Sequence, residues 1–144
     1  MRPRLAMQLV LDTNIVLDLL VFADPQAQPV SQGLLAGTLH WLATPAMREE
    51  LARVLAYPKL AVRVAHHRGS ADAVLADFDR HATLVEPAAK APVTCGDPDD
   101  QKFIDLAVAH RCLLLSKDFE VLRMRKRLAQ LQVQASPCWA GNCW

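Results

Sequence analysis

Four acidic residues stand where a carboxylate needs a reason. Asp12 and Asp118 each close an apolar run, in Leu9-Val10-Leu11-Asp12-Thr13-Asn14 and Leu113-Leu114-Leu115-Ser116-Lys117-Asp118. A charge at the end of a buried strand requires a hydrogen-bond network or a cation. The plain alternative is a helix cap, a role that Asp, Ser, Thr and Asn all fill after a strand. Two more acids are expected to converge with this pair. Around a helix carrying Met47, Leu51, Val54 and Leu55 on one face, Glu50 flanks the apolar side and Glu49 points away. Around the next acidic segment, Phe103, Ile104, Leu106 and Ala107 define the buried face. Asp100 projects toward it, Asp99 to its flank and Asp105 to the far side, with Asp97 as N-cap. Surface pairing for Glu50 and capping for Asp99 and Asp100 are the competing roles.

Gathered in one place, Asp12, Glu50, Asp100 and Asp118 would repel and raise one another's pKa unless cations neutralised them. Oxygen ligands without His or Cys favour Mg²⁺ or Mn²⁺ over zinc. Such ions polarise a phosphodiester and activate a bound water. The chemistry expected is metal-dependent hydrolysis of a nucleic-acid backbone, the ions supplying positive charge that the chain lacks.

The elements that must position these acids alternate. Gln8–Asp12, His40–Thr44, Thr83–Glu86 and Cys112–Ser116 read as strands, with Gln132–Ala135 as an edge strand. Helices are expected over Asn14–Ala23, Ser31–Gly37, Pro45 to about Ala56, one or two across Lys59 to His81, Asp97 to about His110 and Asp118–Ala129. Thr44 is the expected cap of the third, with Pro45 in its first turn. This alternation predicts right-handed crossovers and a three-layer α/β/α fold around a parallel sheet of about five strands. Ligands of open α/β sheets bind beyond the carboxyl ends of the strands.

Composition excludes several classes. The 144 residues, 52% apolar with a net charge of +1, suit one globular domain over 1–144, with 136–144 as a C-terminal tail. Disorder and a uniformly basic nucleic-acid coat do not fit. The best apolar stretch, Leu9 to Ala23, is interrupted by Asp12, Asn14 and Asp18, so neither a membrane span nor a secretory signal is expected. A soluble, cytoplasmic protein follows, and Met7 is an alternative start. Cys95, Cys112, Cys138 and Cys143 form no C-x-x-C pair. Free thiols are expected in a reducing compartment, although a Cys138–Cys143 bridge is sterically conceivable.

The motifs LDTNIVLDLL, EELARVLAYPKL and DPDDQKFIDLAVAH followed by LLLSKDF, in this order from Leu9 to Leu122, resemble the PIN-domain ribonucleases. They are similar in particular to the VapC-like toxins of type II toxin–antitoxin pairs. The resemblance implies that Asp12, Glu50, Asp100 and Asp118 hold Mg²⁺ or Mn²⁺ and carry catalysis, with Asp99 as an additional acid. It implies that Thr13, Asn14 and Ser116 orient carboxylates, water or phosphate. It also implies an RNA substrate, an antitoxin partner and a homodimer. Ser116-Lys117-Asp118 departs from the commoner Thr-Gly/Arg-Asp form, and the tail with Trp139 and Trp144 matches nothing in the family.

Two other readings compete. A PIN-like module could bind RNA or protein without cutting, though a retired site has no reason to maintain such repulsion. A phosphohydrolase with an aspartyl nucleophile needs D-x-D, where this chain has Asp12-Thr13-Asn14. Arg123, Lys126 and Arg127 are expected on one helix face, as a phosphate-tracking strip or a solvated surface.

Overall fold

A computed structural model describes residues 6–139. Five parallel strands form one sheet: β1 (Met7–Leu11), β2 (Leu39–Ala43), β3 (Ala82–Leu84), β4 (Leu113–Leu115) and β5 (Gln134–Ser136), in the order β3-β2-β1-β4-β5. The central strands are apolar on both faces because both are covered. Leu9, Val10, Leu114 and Leu115 have no solvent exposure, each side chain contributing about 1.5–3 kcal/mol by leaving water. The three-layer α/β/α architecture expected from the alternation is the one observed.

The helices are α1 (Thr13–Leu20), α2 (Gln28–Ala36), α3 (Pro45–Leu55), α4 (Pro58–Arg68), α5 (Ala71–His81), α6 (Gln101–His110), α7 (Phe119–Leu122) and α8 (Arg125–Gln130). Thr44 caps α3, its side chain accepting from the Met47 amide, with Pro45 in the first turn. The span from Lys59 to His81 is two helices, parted at Gly69 (φ +84°) and restarted by Ser70, which caps α5. Trp41 of β2 and Phe78 of α5 pack edge to face, with ring centroids 4.9 Å apart. At Gly33 a Cβ would lie 2.6 Å from Leu39 Cδ1, so the absent side chain lets α2 lie close against β2.

Three expectations need correction. The helix expected over Asp118–Ala129 is two pieces. At its break the Met124 amide bonds to the Val121 carbonyl, a three-residue step, while Val121, Met124 and Leu128 all stay buried. Arg123 therefore sits at the end of α7, paired with Glu120 at 3.5 Å, and shares no helix with Lys126 and Arg127. Ser136 belongs to β5 rather than to a tail, and its carbonyl accepts from the Ser116 amide. Asp105 lies away from the buried face of α6, as expected, but the loop before α6 crosses that side of the helix. Its Oδ1 accepts from the Ala91 amide and from Gln101 Nε2, both at 2.8 Å.

Cys95 and Cys112 are free and buried, whereas Cys138 is disulfide-bonded, against the expectation of free thiols. Cys143 and Trp144 lie outside the described residues, and Trp139 packs against the core. Among the described residues no helix is long and apolar enough to cross a membrane.

Candidate metal centre at the sheet switch point

The strand order reverses between β1 and β4, and the crevice beyond their carboxyl ends is the expected ligand site of an open parallel sheet. Both strands deliver an aspartate there. Asp12, 3% exposed, caps α1: its Oδ1 accepts from the Asn14 amide at 2.7 Å, and its Oδ2 from Ser116 Oγ at 2.5 Å. Ser116 in turn accepts from the Asp118 amide at 3.1 Å, and Asp118 caps α7 by accepting from the Glu120 amide at 2.8 Å. One buried serine thus ties the two strand ends together. Capping and convergence are not alternatives here: each aspartate uses one oxygen on a helix start, while Asp12 gives its other oxygen to Ser116 and Asp118 presents a carboxylate oxygen to neighbouring acids.

Asp97, Asp100 and Asp118 each present a carboxylate oxygen, and the three lie within 4.8 Å of one another. Asp100 is buried, and its Oδ2 has no hydrogen-bond partner. Leaving such a group unsatisfied costs on the order of 1–3 kcal/mol or more. Burial first, then a proton shared with Asp118, then the charges of Asp118, Asp12 and Asp97 push the Asp100 carboxyl up to about 8. Burial also raises Asp12, against the hydrogen bonds from Ser116 and Asn14, which lower it; the charges of Asp118 and Glu50 raise it further. Three converging carboxylates with one orphaned oxygen and no nitrogen or sulfur donor fit a hard divalent cation.

Glu50 lies across the crevice on α3, half-buried, while Glu49 is exposed, as the helical wheel requires. Thr13 Oγ1 donates to Glu50 Oε2, and Lys102 Nζ donates to Oε1 at 2.9 Å. Glu50 acts electrostatically on Asp12 but stands outside the three-aspartate group. Asn14 is exposed at the start of α1. Asp99 is exposed as well, and it is Asp97 that joins Asp100 and Asp118.

The reason lies in the backbone. Pro98–Asp100 is a 3-10 turn capped by Asp97, whose Oδ1 accepts from the Asp99 amide at 3.0 Å. Side chains three apart share a face in an α-helix and eclipse in a 3-10 turn, so the 3-10 geometry of this segment brings Asp97 directly beside Asp100. Lys102 was also not legible as a site residue. Its signal is a long cation two positions beyond Asp100, which gains meaning once Glu50 is known to lie opposite.

Comparison with known proteins agrees with this fold. No curated protein matches the chain. The chain is similar in structure to VapBC2 from Rickettsia felis, solved bound to a DNA fragment from its promoter. The TM-score is 0.61 at 16% identity, covering 90% of this chain and 98% of that one. The sequence profile of the PIN domain matches residues 8–120, a span that contains every acid described above. The chain belongs to the PIN domain family.

Proposed function

We propose that this protein is an endoribonuclease that works with Mg²⁺ or Mn²⁺, and that it is the toxin of a toxin–antitoxin pair. PIN domains are generally nucleases. The observation that carries the reading is the orphaned Oδ2 of Asp100, a residue with a carboxylate oxygen within 4.8 Å of ones on Asp97 and Asp118, at the switch point of the sheet.

In this reading Asp100 and Asp118, with Asp97, hold the ion directly. Asp12 stands against them as the fourth negative charge, and Glu50 closes the rim. A divalent ion bound there would polarise the phosphodiester and lower the pKa of a water molecule. Ser116 fixes the Asp12 carboxylate and the turn that leads to Asp118, so both strands present their acids in one register. Thr13 fixes Glu50 in the same way. Asn14, exposed at the start of α1, would meet the substrate backbone. With a net charge of +1 the chain itself has little attraction for a polyanion, which is consistent with binding that depends on the ion. An antitoxin partner and a homodimer belong to the same proposal, on the likeness to the VapBC2 complex.

The test is cleavage of single-stranded RNA by the purified chain with Mn²⁺, with Mg²⁺ and with chelator, beside the Asp100→Asn variant. Metal-dependent cutting by the native chain and none by the variant is expected. Full cutting by Asp100→Asn, or none by the native chain in either metal, overturns the reading and leaves a PIN domain that binds without cutting. Growth arrest on expression, relieved by co-expressing an adjacent small open reading frame, tests the toxin assignment.

A further inference from the structure

We infer that Lys102 is the phosphate-binding cation of the site, and that Glu50 acts as its positioning residue rather than as a direct metal ligand. The inference rests on the nuclease reading above and concerns the same pocket.

Both oxygens of Glu50 are occupied, one by the Thr13 hydroxyl and one by the Lys102 ammonium. Asp100 differs in that Oδ2 has no partner at all. Each oxygen of Glu50 already accepts a hydrogen bond, so an ion there would share or displace those donors, whereas Asp100 offers an oxygen that nothing occupies. Lys102 is held twice on the chain's own atoms: Nζ donates to Glu50 Oε1 at 2.9 Å and to the Asp99 carbonyl at 2.6 Å. An ammonium has three donors, so one N–H is left without a hydrogen bond, although the ammonium also stands over the Phe103 ring, 4.9 Å from its centroid. The side chain is 28% exposed, so this third donor is within reach of a ligand in the crevice.

The stability gained from such a partly exposed pair is small, roughly 0–1 kcal/mol, and does not account for two bonds aimed at the rim of an anionic pocket. The other lysine beside the acids, Lys117, is ion-paired to Asp18 on α1. A phosphodiester arriving at Asp100 and Asp118 brings non-bridging oxygens that need donors, and charge-assisted bonds from an ammonium suit them. Lys102 sits two residues beyond Asp100, at the start of the same helix, and is fixed by Glu50 from across the crevice.

The experiment measures two things separately. Mn²⁺ affinity is read by calorimetry on the protein without RNA. RNA binding is read by anisotropy of a labelled single-stranded oligoribonucleotide with Mn²⁺ over a range of salt, in an Asp12→Asn background that keeps Asp97, Asp100 and Asp118. Lys102→Met is expected to weaken RNA binding by roughly tenfold and to flatten the log–log salt slope by about 0.7, the share of one phosphate contact on a single strand. Its Mn²⁺ affinity stays level or rises. Glu50→Gln follows Lys102→Met in RNA binding and also keeps its Mn²⁺ affinity, whereas Lys102→Arg recovers most of the RNA binding.

Unchanged RNA affinity and salt slope in Lys102→Met overturn the inference, as does loss of Mn²⁺ binding in Glu50→Gln. Lys102→Gln gives the same readings if the Met variant folds poorly. If the native chain cuts RNA while Lys102→Met binds it like its parent, the Lys102 assignment alone fails. If the native chain cuts no RNA in either metal, it is the nuclease reading that fails.

Discussion

The two walls of the acidic crevice carry the same chemical group in opposite conditions. On one wall, Glu50 has a hydroxyl on one oxygen and an ammonium on the other. On the opposite wall, Asp100 is buried beside Asp97 and Asp118 with an oxygen that nothing satisfies. A satisfied carboxylate costs little and rigidifies what it touches. An orphaned one in a like-charged group is tolerated where a ligand completes it. The difference distinguishes residues that build the site from residues that await an ion.

The largest effects are expected on the unsatisfied wall. Asp100→Asn and Asp118→Asn should each lower RNA cleavage by on the order of a hundredfold or more, since loss of groups that merely support metal ligands already costs 10–100-fold. The melting temperature of the metal-free variants should not fall below that of the native chain, because asparagine stands in for the protonated form of Asp100 and removes a repelling charge at Asp118. A metal-free variant melting well below the native chain would mean that these aspartates serve structure, and the contrast with Glu50 would disappear.

The same wall sets a pH dependence. The folded-state pKa of Asp100, raised from 3.8 to about 8, means that the folded chain holds this proton more tightly than the unfolded one. Between those values the folded state binds more protons, so metal-free stability falls as pH rises through the window. A divalent ion takes the place of the proton, so stabilisation by Mn²⁺ should grow over the same interval. Thermal melts from pH 5 to pH 8, with and without Mn²⁺, read both slopes. A flat metal-free profile, or equal Mn²⁺ stabilisation at both ends, would show that Asp100 is not strained by its neighbours.

Next in size is Ser116→Ala. Ser116 is fully buried, donates to Asp12 and accepts from the Asp118 amide, so its removal strips a partner from each strand end. A loss of about 1–3 kcal/mol in urea denaturation is expected. Mn²⁺ affinity should fall with it, since Asp12 and Asp118 lose their common register. Unchanged metal affinity would mean that the two aspartates are positioned independently.

Much of this arrangement could be read from residue order because it depends on local rules. Apolar runs ending in Asp12 and Ser116 mark central strands of a parallel sheet, and the cap at Thr44 fixes the phase of α3, so Glu50 and not Glu49 faces inward. What failed depended on contacts distant in sequence or on departures from ideal helix geometry. The helical wheel puts Asp105 on the far side of α6 but carries no sign of the covering loop and the two donors Asp105 meets there. The resemblance supplied Asp99 as an additional acid, and the 3-10 start at Pro98–Asp100, which brings Asp97 beside Asp100, is not written in periodicity. Lys102 and Glu50 lie 52 positions apart, and neither residue alone suggests the pair.

The smallest effect separates Asp97 from Asp99. Asparagine caps a turn as well as aspartate does, so Asp97→Asn keeps the bond to the Asp99 amide and removes only the charge. Mn²⁺ affinity should drop by at least about tenfold, since groups that merely support metal ligands already contribute that much. Asp99→Asn changes an exposed side chain outside the three-aspartate group, and its Mn²⁺ affinity should match the native value within calorimetric error. The Asp99 carbonyl that receives Lys102 is backbone and survives the substitution, so RNA binding should also be unchanged. Reversal of the order, with Asp99→Asn losing more metal affinity than Asp97→Asn, would mean that the ion draws Asp99 inward and unwinds the 3-10 turn. The second wall would then be assembled by its ligand rather than built in advance.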